Sequence, residues 1–134
     1  MKRIILYIEL LLAACNTTPK NDKSGTATTG EITSIRWRDT VIDLGTVQHD
    51  KEYPVVFHCK NIGNVPLLFQ KMESTCGCTV IDKKINVPLL PSQEGSIVGH
   101  FKMEDMNTYV ERKIYVLANT KQQFHILRIK AYVQ

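Results

Sequence analysis

Cysteines carry the most reactive chemistry in this 134-residue chain, and their spacing singles out one pair among the four. Cys76 and Cys78 flank Gly77 in the run Ser74-Thr75-Cys76-Gly77-Cys78-Thr79. Residues two apart in an extended chain point to one face, so both sulfurs lie on the same side. Their Cα atoms would stand roughly 6.5 Å apart, close to the upper limit of about 6.8 Å for a disulfide, and Gly77 can bend the chain to close the gap. A strained disulfide of that kind is easily reduced and suits thiol exchange. The same pair also offers soft ligands for copper(I) or zinc. Zinc fingers leave about two to four residues between paired cysteines, however, and here only Gly77 intervenes. The plainer alternative is a turn of small residues whose thiols pack, bridge locally, or bridge to Cys59.

Cys59 lies in Tyr53 to Asn61, where Val55, Phe57 and Cys59 share one face and Val56, His58 and Lys60 the other. It is expected to be a small buried hydrophobe and the unpaired thiol. His49, His58, His100 and His125 could complete a metal site only if folding gathered them, and nothing in their spacing predicts that. The metal is therefore left unknown and no cofactor is expected. The chain has no nucleophile elbow, phosphate-cradling glycine loop or His-Glu-x-x-His, so it is not expected to be an enzyme. Pairs such as Glu104-Asp105 and Glu111-Arg112 read as solvated surface.

Cys15 belongs to a different context. Lys2 and Arg3 precede Ile4-Ile5-Leu6-Tyr7-Ile8 and Leu10-Leu11-Leu12, with Glu9 interrupting the apolar run. This is the layout of a secretory signal, too short to span a bilayer as a mature helix. Leu12-Ala13-Ala14-Cys15 resembles a bacterial lipobox, in which cleavage before the cysteine leaves a lipid-modified N-terminal residue. The expected layout is a signal peptide over 1–14, a flexible tether over 15–31 and one folded domain over 32–134. The tether has almost no large apolar residues and cannot offset the entropy of ordering. The expected location is the bacterial cell envelope, lipid-anchored and periplasm-facing. The expected partners are the membrane, through the anchor, and an envelope protein or glycan.

The elements that must position these residues are strands. Short apolar runs punctuated by turn residues recur from Ile32 onward, and no segment sustains helical spacing. Ile32–Arg38 and Thr40–Gly45 read as a split first strand, in which Gly45 either supplies a backbone conformation other residues resist or is a simple loop glycine. Tyr53–Asn61, Val65–Met72, Thr79–Ile81 as a continuation of the strand before it, Gly95–Met103, Val110–Leu117 and Phe124–Val133 follow. Asp82–Glu94, with Pro88 and Pro91, reads as a long crossing loop. In the last strand an apparent phase slip suggests a β-bulge. About seven strands with one crossing connection predict an all-β, immunoglobulin-like Greek-key sandwich. The hydrophobic fraction of 43% can fill its core. Outside the leader, 15 basic residues face 12 acidic ones, a surplus of +3 without a Lys/Arg run, which gives no support for nucleic acid.

Asp43-Leu44-Gly45-Thr46-Val47, Phe57 and Cys59, Lys60-Asn61-Ile62-Gly63-Asn64-Val65-Pro66-Leu67, Ser74-Thr75-Cys76-Gly77-Cys78-Thr79 and Val116-Leu117-Ala118-Asn119 together resemble the bacterial family called domain of unknown function 1573. The resemblance runs from about Ile35 to Val133. It implies an immunoglobulin-like module, related to domains of cilia and centrosome proteins and often carried behind a lipoprotein leader. It implies no activity. Two loops depart from the family pattern: Pro91-Ser92-Gln93-Glu94-Gly95 stands for a Pro-Gly-Glu turn, and Asp105-Met106-Asn107-Thr108 for a glycine-led one.

Overall fold

A computed structural model of the chain describes residues 30–75, 79–81, 86–104 and 106–134. Among these residues there are eight strands: β1 (Ile35–Trp37), β2 (Val41–Val47), β3 (Glu52–Asn61), β4 (Phe69–Ser74), β5 (Thr79–Ile81), β6 (Glu94–Lys102), β7 (Thr108–Ala118) and β8 (Phe124–Val133). They form two four-stranded sheets, ordered β1-β3-β6-β5 and β2-β8-β7-β4. That order is the immunoglobulin-like Greek key, and the expected fold class holds.

Side-chain alternation decides which face each strand buries. In β3, Val55, Phe57 and Cys59 point inward, as their spacing requires, and in β6 Ile97 and Phe101 meet them. The facing sheet contributes Met72 from β4, Ile114 and Val116 from β7, and Leu127, Ile129 and Val133 from β8. Phe57, Phe101, Ile114 and Leu127 are fully buried. Each such side chain contributes about 1.5–3 kcal/mol through burial.

The split first strand is real, and its two halves join different sheets: β1 pairs antiparallel with β3, while β2 pairs parallel with β8. Between Asp43 and Thr46, β2 advances three residues while β8 advances two, from Lys130 to Tyr132. Gly45 sits in this bulge at φ 65°, and its amide donates to Asp43 Oδ1 at 2.8 Å. That left-handed conformation favours glycine, the first of the two readings of this position.

Four expectations need correction. Thr79–Ile81 does not continue the strand before it, because β4 pairs with β7 and β5 pairs with β6 in the other sheet. The chain therefore changes sheets between Ser74 and Thr79. Asp82–Glu94, in turn, joins β5 to β6, which are antiparallel neighbours, so it is not the crossing connection. β4 starts at Phe69 rather than Val65, since Leu67 makes only an isolated bridge to Leu89. β8 has no slip: it pairs with β7 without interruption from Phe124 to Val133, with Leu127, Ile129, Ala131 and Val133 inward. The misleading signal came from Phe124 and Ile126, apolar residues that face solvent.

Candidate functional site

The candidate sites Cys15, Cys76 and Cys78 lie outside the described residues. Cys59 is the free thiol that its position in β3 predicts, and it is 4% exposed. Burial pushes its thiol up to about 11, while the backbone hydrogen bond from Gly95 pulls weakly the other way. It is protonated at neutral pH and chemically quiet. Cys59 stands opposite Gly95, whereas Thr79, which follows the Cys-Gly-Cys run, stands opposite Phe101 on the same strand. Six residues of extended chain separate those two levels, roughly 20 Å.

The four histidines are dispersed, and among the described residues no group of three His, Cys, Asp or Glu side chains is placed to hold a metal. His49 meets Asp50 at 3.2 Å and His100 meets Glu52 at 2.7 Å, both at the end of the sandwich away from Cys59. His58 is exposed on the outer face of β3. His125 has a more defined role. The indole Nε1–H of Trp37 donates to its Nδ1 at 3.3 Å, and its Nε2 lies 2.8 Å from Thr120 Oγ1. Accepting at Nδ1 assigns the proton to Nε2, which then donates to Thr120, whose hydroxyl donates to the Gln122 carbonyl. Burial lowers the pKa of His125 and favours this neutral form.

Two asparagines, both within the stretches that carry the family resemblance, organise the loops at the end where the chain enters. Asn61 is fully buried. Its amide Nδ2 donates to the carbonyls of Val65 and Leu89, both at 2.8 Å, and its Oδ1 accepts from Thr33 Oγ1 at 2.9 Å and the Gly63 amide at 3.0 Å. One side chain thereby joins the segment before β1, the β3–β4 loop and the β5–β6 loop. Asn119 does the same nearby: Oδ1 accepts from the Leu68 amide at 2.7 Å, and Nδ2 donates to the carbonyls of Glu31 and Pro66. Gly63 is required for close approach, because a Cβ there would clash with Thr33 and lie 2.8 Å from the Ser34 amide nitrogen. The motif residues Asn61, Gly63 and Asn119 are therefore framework. Their clue in the sequence is a polar residue at the inward phase of a strand end, as Asn61 follows Val55, Phe57 and Cys59.

The outer faces of the two sheets differ. On the β2-β8-β7-β4 sheet, Tyr109 is 84% exposed and its ring lies 4.8 Å from that of Tyr132, its register partner. The two rings border a groove of about 590 Å³ with Asp43, Thr46, Glu111 and Lys130. Further along the same face, Tyr115 stands opposite Ile126 and Leu117 opposite Phe124, and Phe124 is 60% exposed. On the β1-β3-β6-β5 sheet, Arg36, Arg38, His58, Lys60 and Glu94 line a smaller groove of about 250 Å³. The first face offers aromatic and apolar contact, and the second offers positive charge.

Solved structures share this architecture at low identity. A protein of unknown function from Porphyromonas gingivalis W83 superposes with a TM-score of 0.67 at 12% identity, covering 82% of this chain and 51% of that one. The chain thus spans about half the length of that structure. The ASH/PapD-like domain 7 of human CEP192 gives 0.57 at 13% identity over 77% of this chain and 85% of the domain. The secreted serine protease VesC of Vibrio cholerae gives 0.56 at 13% identity over 76% of this chain and 23% of the protease. These likenesses show the fold alone. No curated protein matches the chain. Residues 35–133 match the model of the family described as Protein of unknown function (DUF1573), and the chain belongs to that family.

Proposed function

We propose that this protein is a lipid-anchored module of the bacterial cell envelope, without catalytic activity of its own, that binds or organises another envelope component through an outer sheet face. The observation that carries the binding role is the outer face of the β2-β8-β7-β4 sheet, where Tyr115, Ile126 and Phe124 form one exposed group and Tyr109 with Tyr132 another, with the charges of Glu111, Lys113, Arg128 and Lys130 between them. A clustered exposed aromatic and apolar face marks an interaction surface, whereas single exposed apolar residues are commonplace. The rings of Tyr109 and Tyr132 suit either an envelope protein or the apolar face of a glycan. The envelope assignment rests on the basic start, the apolar run and Leu12-Ala13-Ala14-Cys15, in that order. A cysteine at that point accepts the lipid, and the tether would then hold the domain near the membrane.

Intact-mass analysis of the envelope fraction tests the anchor. The expected mature protein begins at Cys15 and carries the mass of its acyl chains, and Cys15→Ala abolishes both the processing and the added mass. Wild-type protein recovered without lipid mass would overturn the assignment.

A further inference from the structure

We propose that the end of the sandwich at which the chain enters is a docking face for an anionic lipid surface. The proposal rests on the reading of the protein as membrane-tethered and specifies which side of the domain meets the bilayer.

A strip of cations that form no ion pair is the first observation. Arg36 stands directly opposite Lys60 in the β1–β3 register, and the Arg38 amide donates to the His58 carbonyl on the same strand. Like charges directly opposite one another destabilise a sheet. On its other side Lys60 stands opposite Glu94 in the β3–β6 register, and Glu31 and Asp39 are the other carboxylates of this region, yet among the described residues no ion pair involves Arg36, Arg38 or Lys60. On the other sheet, by contrast, Glu111 lies within 3.7–3.8 Å of Lys113, Arg128 and Lys130. The cations of the β1–β3 strip thus remain available to an external anion.

Apolar loop tips beside that strip are the second. Ile32 is 64% exposed, Ile62 44%, Val87 58% and Leu90 41%. They project from the three segments that Asn61 joins, so their positions are set by a buried hydrogen-bond network rather than by loose loops. Apolar side chains that enter the headgroup region, rimmed by cations at the level of the phosphates, are the two contributions that hold an interfacial protein on anionic lipid. An acidic peptide or a nucleic acid would match the cations but leave the tips idle.

The third is position. Residues 1–29 join the described domain at Gly30, and Glu31 is bound through its carbonyl to Asn119 within the same loop cluster. A tether arriving there would bring this end, rather than the His49–Asp50 end, to the surface it is anchored in.

The test measures binding of the full chain to phosphatidylcholine vesicles with and without phosphatidylglycerol, comparing wild type with Arg36→Gln/Arg38→Gln/Lys60→Gln. Each cation near such a surface strengthens binding about fivefold, so the triple variant should lose on the order of 100-fold of the preference for phosphatidylglycerol. Ile62→Asp with Leu90→Asp should weaken binding to both vesicle types roughly tenfold. All five positions are at the surface, and unchanged thermal unfolding shows that each variant is folded. An undiminished phosphatidylglycerol preference in the triple variant overturns the proposal, as does unchanged binding by the double variant. Inorganic phosphate that displaces the protein where sodium chloride of equal ionic strength does not would also overturn it, in favour of a small-anion site. The leader is common to all variants and no acyl chain on Cys15 is needed. Absence of lipid mass would thus defeat the anchor alone, whereas loss of the vesicle preference in wild type would defeat the docking face alone.

Discussion

At the end where the chain enters, Asn61 and Asn119 commit both sides of their amides to loop backbones, whereas at the opposite end Asp50, Glu52, His100 and Lys102 meet through ion pairs whose members are 38–61% exposed. Buried and fully partnered amides fix geometry, because a lost partner leaves a desolvated group with nothing to bind. Exposed ion pairs are screened by water and salt and fix little. The contrast shows what one group of the residues that carry the family resemblance does, while Asp43–Val47 and Thr79 lie elsewhere in the sandwich. Asn61, Gly63, Pro66, Leu67 and Asn119 build a rigid loop platform, and the other end has no equivalent.

The largest effect should come from breaking that platform. Asn61→Ala leaves the carbonyls of Val65 and Leu89 and the Gly63 amide without their partners, at about 1–3 kcal/mol each when buried. A loss of about 4 kcal/mol in urea unfolding is expected, and a loss below about 1 kcal/mol would show that the network contributes little.

A second route to the same end is pH. His125 has its pKa lowered by burial relative to the ordinary 6.5, so below that value the unfolded chain binds a proton that the folded protein excludes. Stability should therefore be full above about pH 6.5 and decline as pH falls below it. Protonation would also remove the acceptor that Trp37 uses. Thermal unfolding followed between pH 7.5 and pH 5 checks this, and His125→Gln should flatten that part of the profile.

Strengthening the platform is a smaller and opposite test. Ser92 sits at φ 66° in the β5–β6 loop, and its amide donates to the Asn61 carbonyl. Left-handed backbone costs a residue with a Cβ roughly 1 kcal/mol, so Ser92→Gly should raise stability by up to that amount. Asn107, at φ 53° in the β6–β7 loop, is of a type that tolerates this region better. The smallest effect belongs to the opposite end. Glu52→Gln removes the exposed contact with His100 and should change stability by no more than about 0.5 kcal/mol, a difference that urea titration separates readily from the Asn61 result.

Much of this architecture can be read from the chain because most strands obey period-two burial. Val55, Phe57 and Cys59, or Ile97, Gly99 and Phe101, declare their inward face without any tertiary information. Thr79–Ile81 is different: three residues of strand look the same in either sheet, and only pairing with Phe101 to Gly99 shows which one it joins. The apparent slip in β8 had the reverse cause, since Phe124 and Ile126 are apolar residues on an outward phase, and an alternation rule assigns them to the core. The asparagine network was beyond local reading altogether. Asn61 reaches Leu89 across 28 positions, and Asn119 reaches Pro66 across 53. Nothing local in Asn61-Ile62-Gly63 reveals those partners, and the reactivity of Cys76 and Cys78 likewise depends on neighbours that only folding supplies.

The parallel pairing of β2 with β8 has a mechanical meaning. The chain enters at Gly30 beside the loop platform and ends at Gln134 beyond the far end of β8, where Gln134 is bound to Val47 and His49. A pull applied between Gly30 and Gln134 runs along the β2–β8 seam, so its hydrogen bonds are strained together in shear instead of opening one after another from an end. Resistance to such a force is governed by the rate of unfolding rather than by equilibrium stability. The one-residue bulge at Gly45 divides the seam into a segment from Thr40 to Asp43 and a segment from Thr46 to His49, so the load falls on two short ladders rather than one continuous one.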